Sequence, residues 1–293
     1  MNRLIYALTS LFIIISSCSK NESSEQSYFD QWTNIGDGLN SNVPKKVLTE
    51  FVGSTNCPGC ATQEPILNSY FNESDENYVG DEITSNWFVI NYHTYHPSMW
   101  DPMYLTLRGE SAEEDFCYVR FGDGYGTGNW YNIGGVPTVY TNGSNSSIYQ
   151  AMANEFLAQS TPVQIDLQGT IIDERDVTVQ ISINSSKDMS NSDSLYLFIA
   201  ATIDEVNYTG YNGLEHHDNV FLGWITSGLE GELLSIKNEE IAKTYYWSMD
   251  VNWPENTYES SWSEVEYDVS NLSIIAFIQN KYSKEVIQVA RSN

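Results

Sequence analysis

The feature of this sequence that most constrains its fold is an alternation of apolar and polar side chains that begins near Thr161. Successive side chains of a β-strand point to opposite faces, so a two-residue period predicts antiparallel strands with one buried and one solvated face. Asn, Ser, Asp and Gly separate the runs, as expected for turns. We therefore predict an antiparallel all-β sandwich of about seven strands in residues 161–293. The alternating runs are residues 163–167, 177–183, 195–203, 245–251 and 272–278.

The N-terminus has the pattern of an export signal. Arg3 precedes an apolar run at residues 4–15, which is too short to span a membrane as a mature helix and fits the hydrophobic part of a secretory signal. Small residues then lead to Cys18, and this ending resembles a bacterial lipobox, in which the Cys becomes the lipid-modified first residue. An ordinary signal peptide with a chance cysteine is the alternative. We predict a lipoprotein signal peptide at residues 1–17 and a flexible, polar tether at residues 18–40.

The chain is strongly acidic, with 39 Asp and Glu residues against 13 Lys and Arg residues and a formal net charge of −26. Nucleic-acid phosphates and anionic lipid surfaces both require a basic face on the protein. We therefore expect no nucleic-acid partner, and we interpret the charge as a source of solubility.

Four cysteines indicate a redox pair rather than a disulfide scaffold. If Cys18 carries lipid, three thiols remain, of which Cys57 and Cys60 are neighbours in sequence and Cys117 stands apart. Cys117 lies in a helix-like stretch, so we predict a buried, small apolar residue there. A resolving role for Cys117 is the alternative.

The neighbouring cysteines lie between a β-type run at residues 47–52 and a helix-like run at residues 61–71. This order predicts Cys57 at a helix N-terminus, where unpaired N–H groups and the helix dipole stabilise a thiolate. Cys60, one turn later, is close enough to form a small disulfide with it. A zinc site is another use of such a pair, but the sequence offers no second pair to complete one.

Two motifs together resemble the thioredoxin superfamily. They are the Cys-Pro-Gly-Cys segment at residues 57–60 and the Gly-Gly-Val-Pro-Thr segment at residues 134–138, with a β-like run at residues 87–93 between them. The resemblance implies an α/β thioredoxin-like domain, which we place at residues 41–160. The β-sandwich domain at residues 161–293 would follow it.

The same resemblance implies roles for individual residues. Cys57 would be the attacking thiol and Cys60 the resolving thiol. Pro137 would follow a cis peptide bond, and the backbone of Val136 would pair with an incoming peptide. Glu50 would relay protons to the resolving thiol, with an exposed strand carboxylate as the alternative. The predicted catalytic residues are thus Cys57, Cys60 and Glu50, and the predicted peptide-facing residues are Val136, Pro137, Pro58 and Gly59.

Further segments resemble the Bacteroidota outer membrane proteins named for a mass of twenty-eight kilodaltons. These segments are the Tyr-His start and Asp-Pro-Met-Tyr end of residues 92–104, a His-His-Asp-Asn-Val stretch at residues 216–220, and hairpin-like runs at residues 272–280 and 284–290. The resemblance implies an outer-membrane lipoprotein that faces the periplasm or the cell surface. Its membrane contact would be the lipid on Cys18.

Histidines near the central run raise the question of a metal. His93, His96 and Asp101 are close in sequence, but no further ligand spacing is evident, so we expect local hydrogen bonds instead. His216 and His217 are adjacent on a predicted strand and would point to opposite faces. We predict no metal and no cofactor.

Two main functions fit the sequence, and passive surface adhesion through the β-sandwich is a third option. One is thiol–disulfide exchange with the thiols or disulfides of exported proteins, through Cys57 and Cys60. The other is a non-catalytic binding lipoprotein of the outer membrane or cell surface, in which Cys57 and Cys60 form a structural disulfide. Because the residues between the cysteines tune redox poise, Pro58 and Gly59 leave the direction of exchange open.

Overall fold

The computed structural model describes residues 41–292, apart from residues 99, 106, 123–129, 146–148, 174, 191–193, 238, 252 and 254–264. The predicted signal peptide, the predicted tether and Cys18 lie outside the described residues.

Strands far outnumber helices in the described part of the chain. Its helices are α1 (Cys60–Ser69), α2 (Asp81–Thr84), α3 (Pro102–Leu105), α4 (Phe116–Phe121) and α5 (Tyr149–Leu157). Its strands are β1 (Val43–Pro44), β2 (Val47–Gly53), β3 (Trp87–His93), β4 (Thr138–Thr141), β5 (Ser144–Asn145), β6 (Ser160–Thr161), β7 (Val163–Ile171), β8 (Asp176–Ser185), β9 (Leu195–Asn207), β10 (His216–Trp224), β11 (Glu232–Leu233), β12 (Ile241–Ser248), β13 (Glu266–Tyr267), β14 (Leu272–Asn280) and β15 (Val286–Ser292). None of the described helices combines the length and apolar content needed to cross a membrane.

One mixed sheet of ten strands dominates the described residues. Its main path runs β15-β14-β9-β10-β3-β2-β4-β5, and β11 and β13 pair with β9. The β2–β3 pair is parallel, and β10 joins β3 in parallel where Val220 lies opposite Asn91. The segments predicted as separate domains therefore share one sheet and belong to one compact unit. The domain boundary at residue 160 stays a prediction.

A smaller antiparallel sheet, β12-β8-β7, packs against one face of β9 and β14. Aliphatic side chains from both sheets fill the space between them, including Val179 and Ile181 from β8, Ile199 from β9 and Ile274 from β14. The runs predicted around residues 163–167, 177–183, 195–203 and 272–278 all lie in strands. The predicted β-rich, sandwich-like packing is thus confirmed.

The expectation of one solvated face is wrong for β9 and β14. Their second faces carry Phe198 and Phe277, which are buried in another cluster with Tyr104, Phe121 and Trp130. The alternation in the sequence shows which side chains share a face, but it does not show that a distant segment covers that face.

Helices α1 and α5 lie on the other part of the ten-stranded sheet, against β2, β3 and β4. Cys60 of α1, Ala153 of α5 and Phe51 of β2 belong to one buried cluster. Leu48 and Val52 point to the opposite face of β2, into the cluster that contains Phe198. This alternation determines on which side of the sheet each candidate residue lies.

Candidate functional site

The cysteine pair lies where β2 turns into α1. Helix α1 begins at Cys60, and its first N–H groups point back at the preceding loop, as at any helix N-terminus. The backbone N–H of Cys60 lies 3.2 Å from Cys57 Sγ. Both residues are free thiols, and Cys57 is 4% exposed while Cys60 is fully buried. The Cys57 sulfur therefore receives a helix N-terminal N–H, as the order strand, loop, cysteine pair and helix predicts.

The Val136–Pro137 segment approaches the cysteines from β4. The peptide bond before Pro137 is cis, as the resemblance implies. The Cys57 thiol donates a hydrogen bond to the backbone oxygen of Val136 across 3.5 Å. Gly59 makes the approach possible, because a Cβ there would lie only 3.0 Å from Pro137 Cδ. Pro58 and Gly59 are exposed, and a Cβ at Gly59 would lie 3.8 Å from Cys57 Sγ.

An open pocket of about 360 Å³ continues from this point between α1 and β4. Gly59 and Pro137 form its end near the cysteines, and its polar lining comes from uncharged side chains such as Thr62, Gln63 and Asn145. Tyr149 of α5 also lines the pocket and donates a hydrogen bond from its hydroxyl to Gln63. The lining offers hydrogen bonds without selecting a charge.

A loop from the C-terminal half of the chain holds the cysteine loop in place. The side-chain amide of Asn212 donates to the backbone oxygens of Ser54 and Cys57, at 3.2 and 3.1 Å. Its backbone N–H donates to the oxygen of Thr55 at 2.9 Å. Gly210 packs so closely there that a Cβ would lie 2.7 Å from the same oxygen. The cysteine loop is therefore positioned by a segment more than 150 residues away in sequence.

The structure places Glu50 on the wrong side of the sheet for its predicted role. Glu50 is 1% exposed and lies on the face of β2 that carries Leu48 and Val52, whereas Cys60 packs with Phe51 on the opposite face. Its carboxylate accepts hydrogen bonds from Arg120 Nε at 2.7 Å and from the Tyr131 hydroxyl at 2.8 Å. The proton-relay prediction for Glu50 is corrected, and the alternative of an exposed carboxylate is wrong too. Glu50 is half of a buried ion pair.

A different carboxylate lies on the side of the cysteines. Glu64 is 3% exposed and sits four residues after Cys60 on α1, a spacing that puts both side chains on one helix face. Its Oε1 atom accepts a hydrogen bond from Asn91 Nδ2 at 2.7 Å and lies 3.2 Å from His217 Nδ1. Glu64 is not among the predicted site residues, although its four-residue spacing from Cys60 is a signal in the sequence.

The environment of Cys60 strongly disfavours its thiolate. Burial raises the pKa of the Cys60 thiol far above its ordinary value, and the hydrogen bond and charge of Cys57 raise it further. The negative charge of Glu64 acts in the same direction. Because the thiolate is the nucleophile, Cys60 needs a nearby proton acceptor before it can react.

His93, for which the sequence predicts local hydrogen bonds, forms a buried ion pair with Asp101, and His217 is its neighbour. His93 Nδ1 lies 2.8 Å from Asp101 Oδ2, and the His93 and His217 rings meet edge to face with their centroids 5.1 Å apart. Burial disfavours the charged forms of His93 and Asp101, but the attraction between the two side chains outweighs burial. The pKa of His93 is therefore raised and the pKa of Asp101 is lowered. Among the described residues, no group of three His, Cys, Asp or Glu side chains is arranged to hold a metal ion.

Cys117 does not belong to the redox pair. It is fully buried in the cluster on the opposite face of the sheet, and burial raises its pKa well above the ordinary value. Its sulfur donates only a weak hydrogen bond, 3.7 Å long, to the backbone oxygen of His93. The prediction of a buried, small residue is confirmed.

Comparison with solved structures shows a shared fold. HBP35 of Porphyromonas gingivalis aligns over 86% of this chain and 76% of that chain, with 14% sequence identity and a TM-score of 0.61. A domain of the outer membrane lipoprotein Omp28 from Porphyromonas gingivalis aligns over 45% of this chain and 86% of that chain, with 16% identity and a TM-score of 0.30, which is too low to support an argument. No protein-family model matches the chain, and no curated protein matches its sequence. The chain is thus similar in fold to HBP35.

Proposed function

We propose that this chain is an exported lipoprotein whose thioredoxin-like cysteine site exchanges disulfides with exported proteins. The proposal rests on the groups that surround the Cys57 sulfur. Cys57 Sγ receives the first helical N–H of α1 and lies 3.5 Å from the backbone oxygen of Val136, beside Pro137. A reactive sulfur next to an extended backbone segment can meet a substrate cysteine and the peptide around it.

The exchange proceeds in two displacements. The Cys57 thiolate attacks one sulfur of a substrate disulfide, a mixed disulfide between Cys57 and the substrate forms as the substrate S–S bond breaks, and the departing sulfur takes a proton from water. The Cys60 thiolate then attacks the Cys57 sulfur, the Cys57–Cys60 bond forms, and the second substrate sulfur leaves and is protonated. The substrate gains two electrons and the cysteine pair loses them. The same steps in reverse oxidise a substrate dithiol.

The uncharged pocket beside Gly59 and Pro137 supports polypeptide substrates of varied sequence. Its polar groups, from residues such as Gln63 and Asn145, can hydrogen-bond to a peptide without requiring a particular charge. Exchange with many exported proteins calls for such tolerance.

Export and anchoring are proposed on the sequence. The apolar run at residues 4–15 and the small residues before Cys18 support lipid attachment, and both lie outside the described residues. The resemblance to the twenty-eight-kilodalton outer membrane proteins supports a position at the outer membrane, facing the periplasm or the surface. Disulfides persist in such oxidising compartments, so substrates for the cysteine pair are available there.

Reduction of insulin by dithiothreitol, and oxidative refolding of reduced ribonuclease for the opposite direction, test the activity. We expect the wild-type protein to accelerate at least one reaction and Cys57→Ser to fall to the rate of buffer alone. Cys117→Ala is the matched control, because it also removes a buried thiol but lies on the other face of the sheet. Equal rates for Cys57→Ser and wild type would contradict the proposal. A Cys57–Cys60 disulfide that resists dithiothreitol would favour the non-catalytic binding lipoprotein instead.

A further inference from the structure

A buried polar cluster lies between α1 and the sheet, beneath the cysteine pair, and has no assigned part in the two displacements described above. Its members are Glu64, Asn91, His93, Asp101 and His217, all of them buried. Four separate segments contribute, since Glu64 is on α1, Asn91 and His93 are on β3, Asp101 lies just before α3, and His217 is on β10.

Glu64 is the member next to the cysteines. Side chains four residues apart on a helix have Cβ atoms about 5–6 Å apart, so Glu64 and Cys60 share one face of α1. The negative charge of Glu64 reaches the Cys60 thiol, because it adds to the rise of the thiol pKa. Asn91 and His217 both contact its Oε1 atom, at 2.7 and 3.2 Å. A carboxylate buried this deeply carries a desolvation cost that a glutamine would avoid.

His217 extends the cluster away from Glu64. Its Nδ1 faces the carboxylate, while its buried Nε2 has no hydrogen-bond partner among the residues that the structure describes. The same holds for Nε2 of His93, whose other nitrogen contacts Asp101. An imidazole with one nitrogen on a carboxylate and the other unpartnered can take up or give back a proton.

We propose that the Glu64 carboxylate, paired with His217, accepts the proton of the Cys60 thiol when Cys60 resolves the mixed disulfide on Cys57. This inference rests on the proposed function. The Cys60 S–H bond breaks and an O–H bond forms on Glu64. The electron pair left on Cys60 attacks the Cys57 sulfur, and the substrate sulfur leaves with the electrons of the broken S–S bond and takes a proton from water. In the reverse direction Glu64 returns the proton to Cys60.

The pH dependence of this step involves every titratable group around it. These groups are Cys57 in the loop, His93 on β3, Asp101 after β3, and His217 and Asp218 on β10. A thiol that gave its proton directly to hydroxide would react about ten times faster for each added pH unit. Transfer to an internal carboxylate gives a shallower dependence.

The test uses 5,5′-dithiobis(2-nitrobenzoate) with the reduced, purified protein, because this probe separates the two displacements. Attack by Cys57 releases one coloured thiolate, and attack by Cys60 on the mixed disulfide releases the other. We expect Glu64→Gln to slow the second release about a hundredfold, and to make it rise about tenfold per pH unit, while the first release keeps its rate. Glu64→Asp, which retains a carboxylate, should recover part of the loss.

Glu50→Gln is the matched control, since it neutralises another buried carboxylate on the opposite face of β2 and should leave both releases unchanged in the folded protein. Equal second-release rates and pH profiles in wild type and Glu64→Gln would overturn the inference. If Glu64→Gln does not fold, the wild type decides: a second release that rises tenfold per pH unit excludes an internal acceptor, and a shallower rise supports one. Absence of either release in the wild type would instead refute the proposed function.

Discussion

The buried ion pair between Glu50 and Arg120 makes a quantitative prediction about stability. The Arg120 guanidinium donates to Glu50 at 2.7 Å and to Gln279 Oε1 at 3.0 Å, so it ties β2 and α4 to β14. Its Nη1 atom has no hydrogen-bond partner among the described residues. Aromatic rings surround it instead, and the nearest belongs to Phe198, whose centroid is 4.7 Å from Cζ. Burial would lower the pKa of Arg120, but Glu50 reverses that effect and raises it.

Arg120→Met removes the cation and leaves the Glu50 carboxylate buried, where it accepts a hydrogen bond from the Tyr131 hydroxyl. Breaking a buried ion pair in this way lowers the free energy of unfolding by about 3–5 kcal/mol. The whole free energy of unfolding of a typical domain is only about 5–15 kcal/mol. The double variant Glu50→Gln/Arg120→Met removes both charges, and we expect it to lie within about 2 kcal/mol of wild type. The coupling between the two residues is the loss of stability in the double variant minus the summed losses in the single variants Arg120→Met and Glu50→Gln.

Urea unfolding followed by tryptophan fluorescence measures these free energies of unfolding. We expect the midpoint to fall steeply for Arg120→Met and to recover in the double variant, with the denaturant slope unchanged. A loss below about 1 kcal/mol for Arg120→Met, or a double variant as unstable as the sum of the single changes, would refute the assignment of Glu50 to a structural pair.

Three other substitutions test separate parts of the site. The pKa of Asp218 is raised to about 6 by burial and by the charges of Glu64 and Glu205, so ionising this group between about pH 4 and about pH 6 destabilises the folded state. Asp218→Asn should therefore raise the free energy of unfolding at neutral pH by about 1–3 kcal/mol and flatten its pH dependence, and unchanged urea midpoints would contradict this. Asn212→Ala removes the side-chain donor to the backbone oxygens of Ser54 and Cys57. It should lower the free energy of unfolding in urea by about 1–2 kcal/mol and slow the first release of coloured thiolate from 5,5′-dithiobis(2-nitrobenzoate). An unchanged first release would show that the cysteine loop needs no such support. Cys60→Ser should trap one mixed disulfide on Cys57, visible by mass spectrometry, and adducts spread over other cysteines would exclude Cys57 as the attacking thiol.

The elements of the site were largely predictable, because their signals are local. The apolar runs predicted the first and last residues of β2 and β3 to within one residue. The predicted helix that follows the cysteine loop is present and begins at Cys60. The cis bond before Pro137 matches what the resemblance implies. These features depend on neighbours in sequence or on a short motif.

The error on Glu50 has a physical origin. Strand alternation puts Glu50 with Leu48 and Val52, but the sequence does not show which face of β2 the helix α1 will cover. Glu64 carried a local signal in its four-residue spacing from Cys60. His217 carried none, because its position beside Glu64 depends on the parallel pairing of β10 with β3, more than 100 residues apart in sequence.

The reduction potential of the Cys57–Cys60 pair, measured by alkylation and peptide mass spectrometry across glutathione buffers, bears most directly on whether these thiols work as a reversible couple. We expect a single two-electron transition between about −270 and about −120 mV, the span of known exchange proteins. A pair that stays oxidised below about −300 mV, as structural disulfides do, or that never forms a disulfide at all, would contradict it.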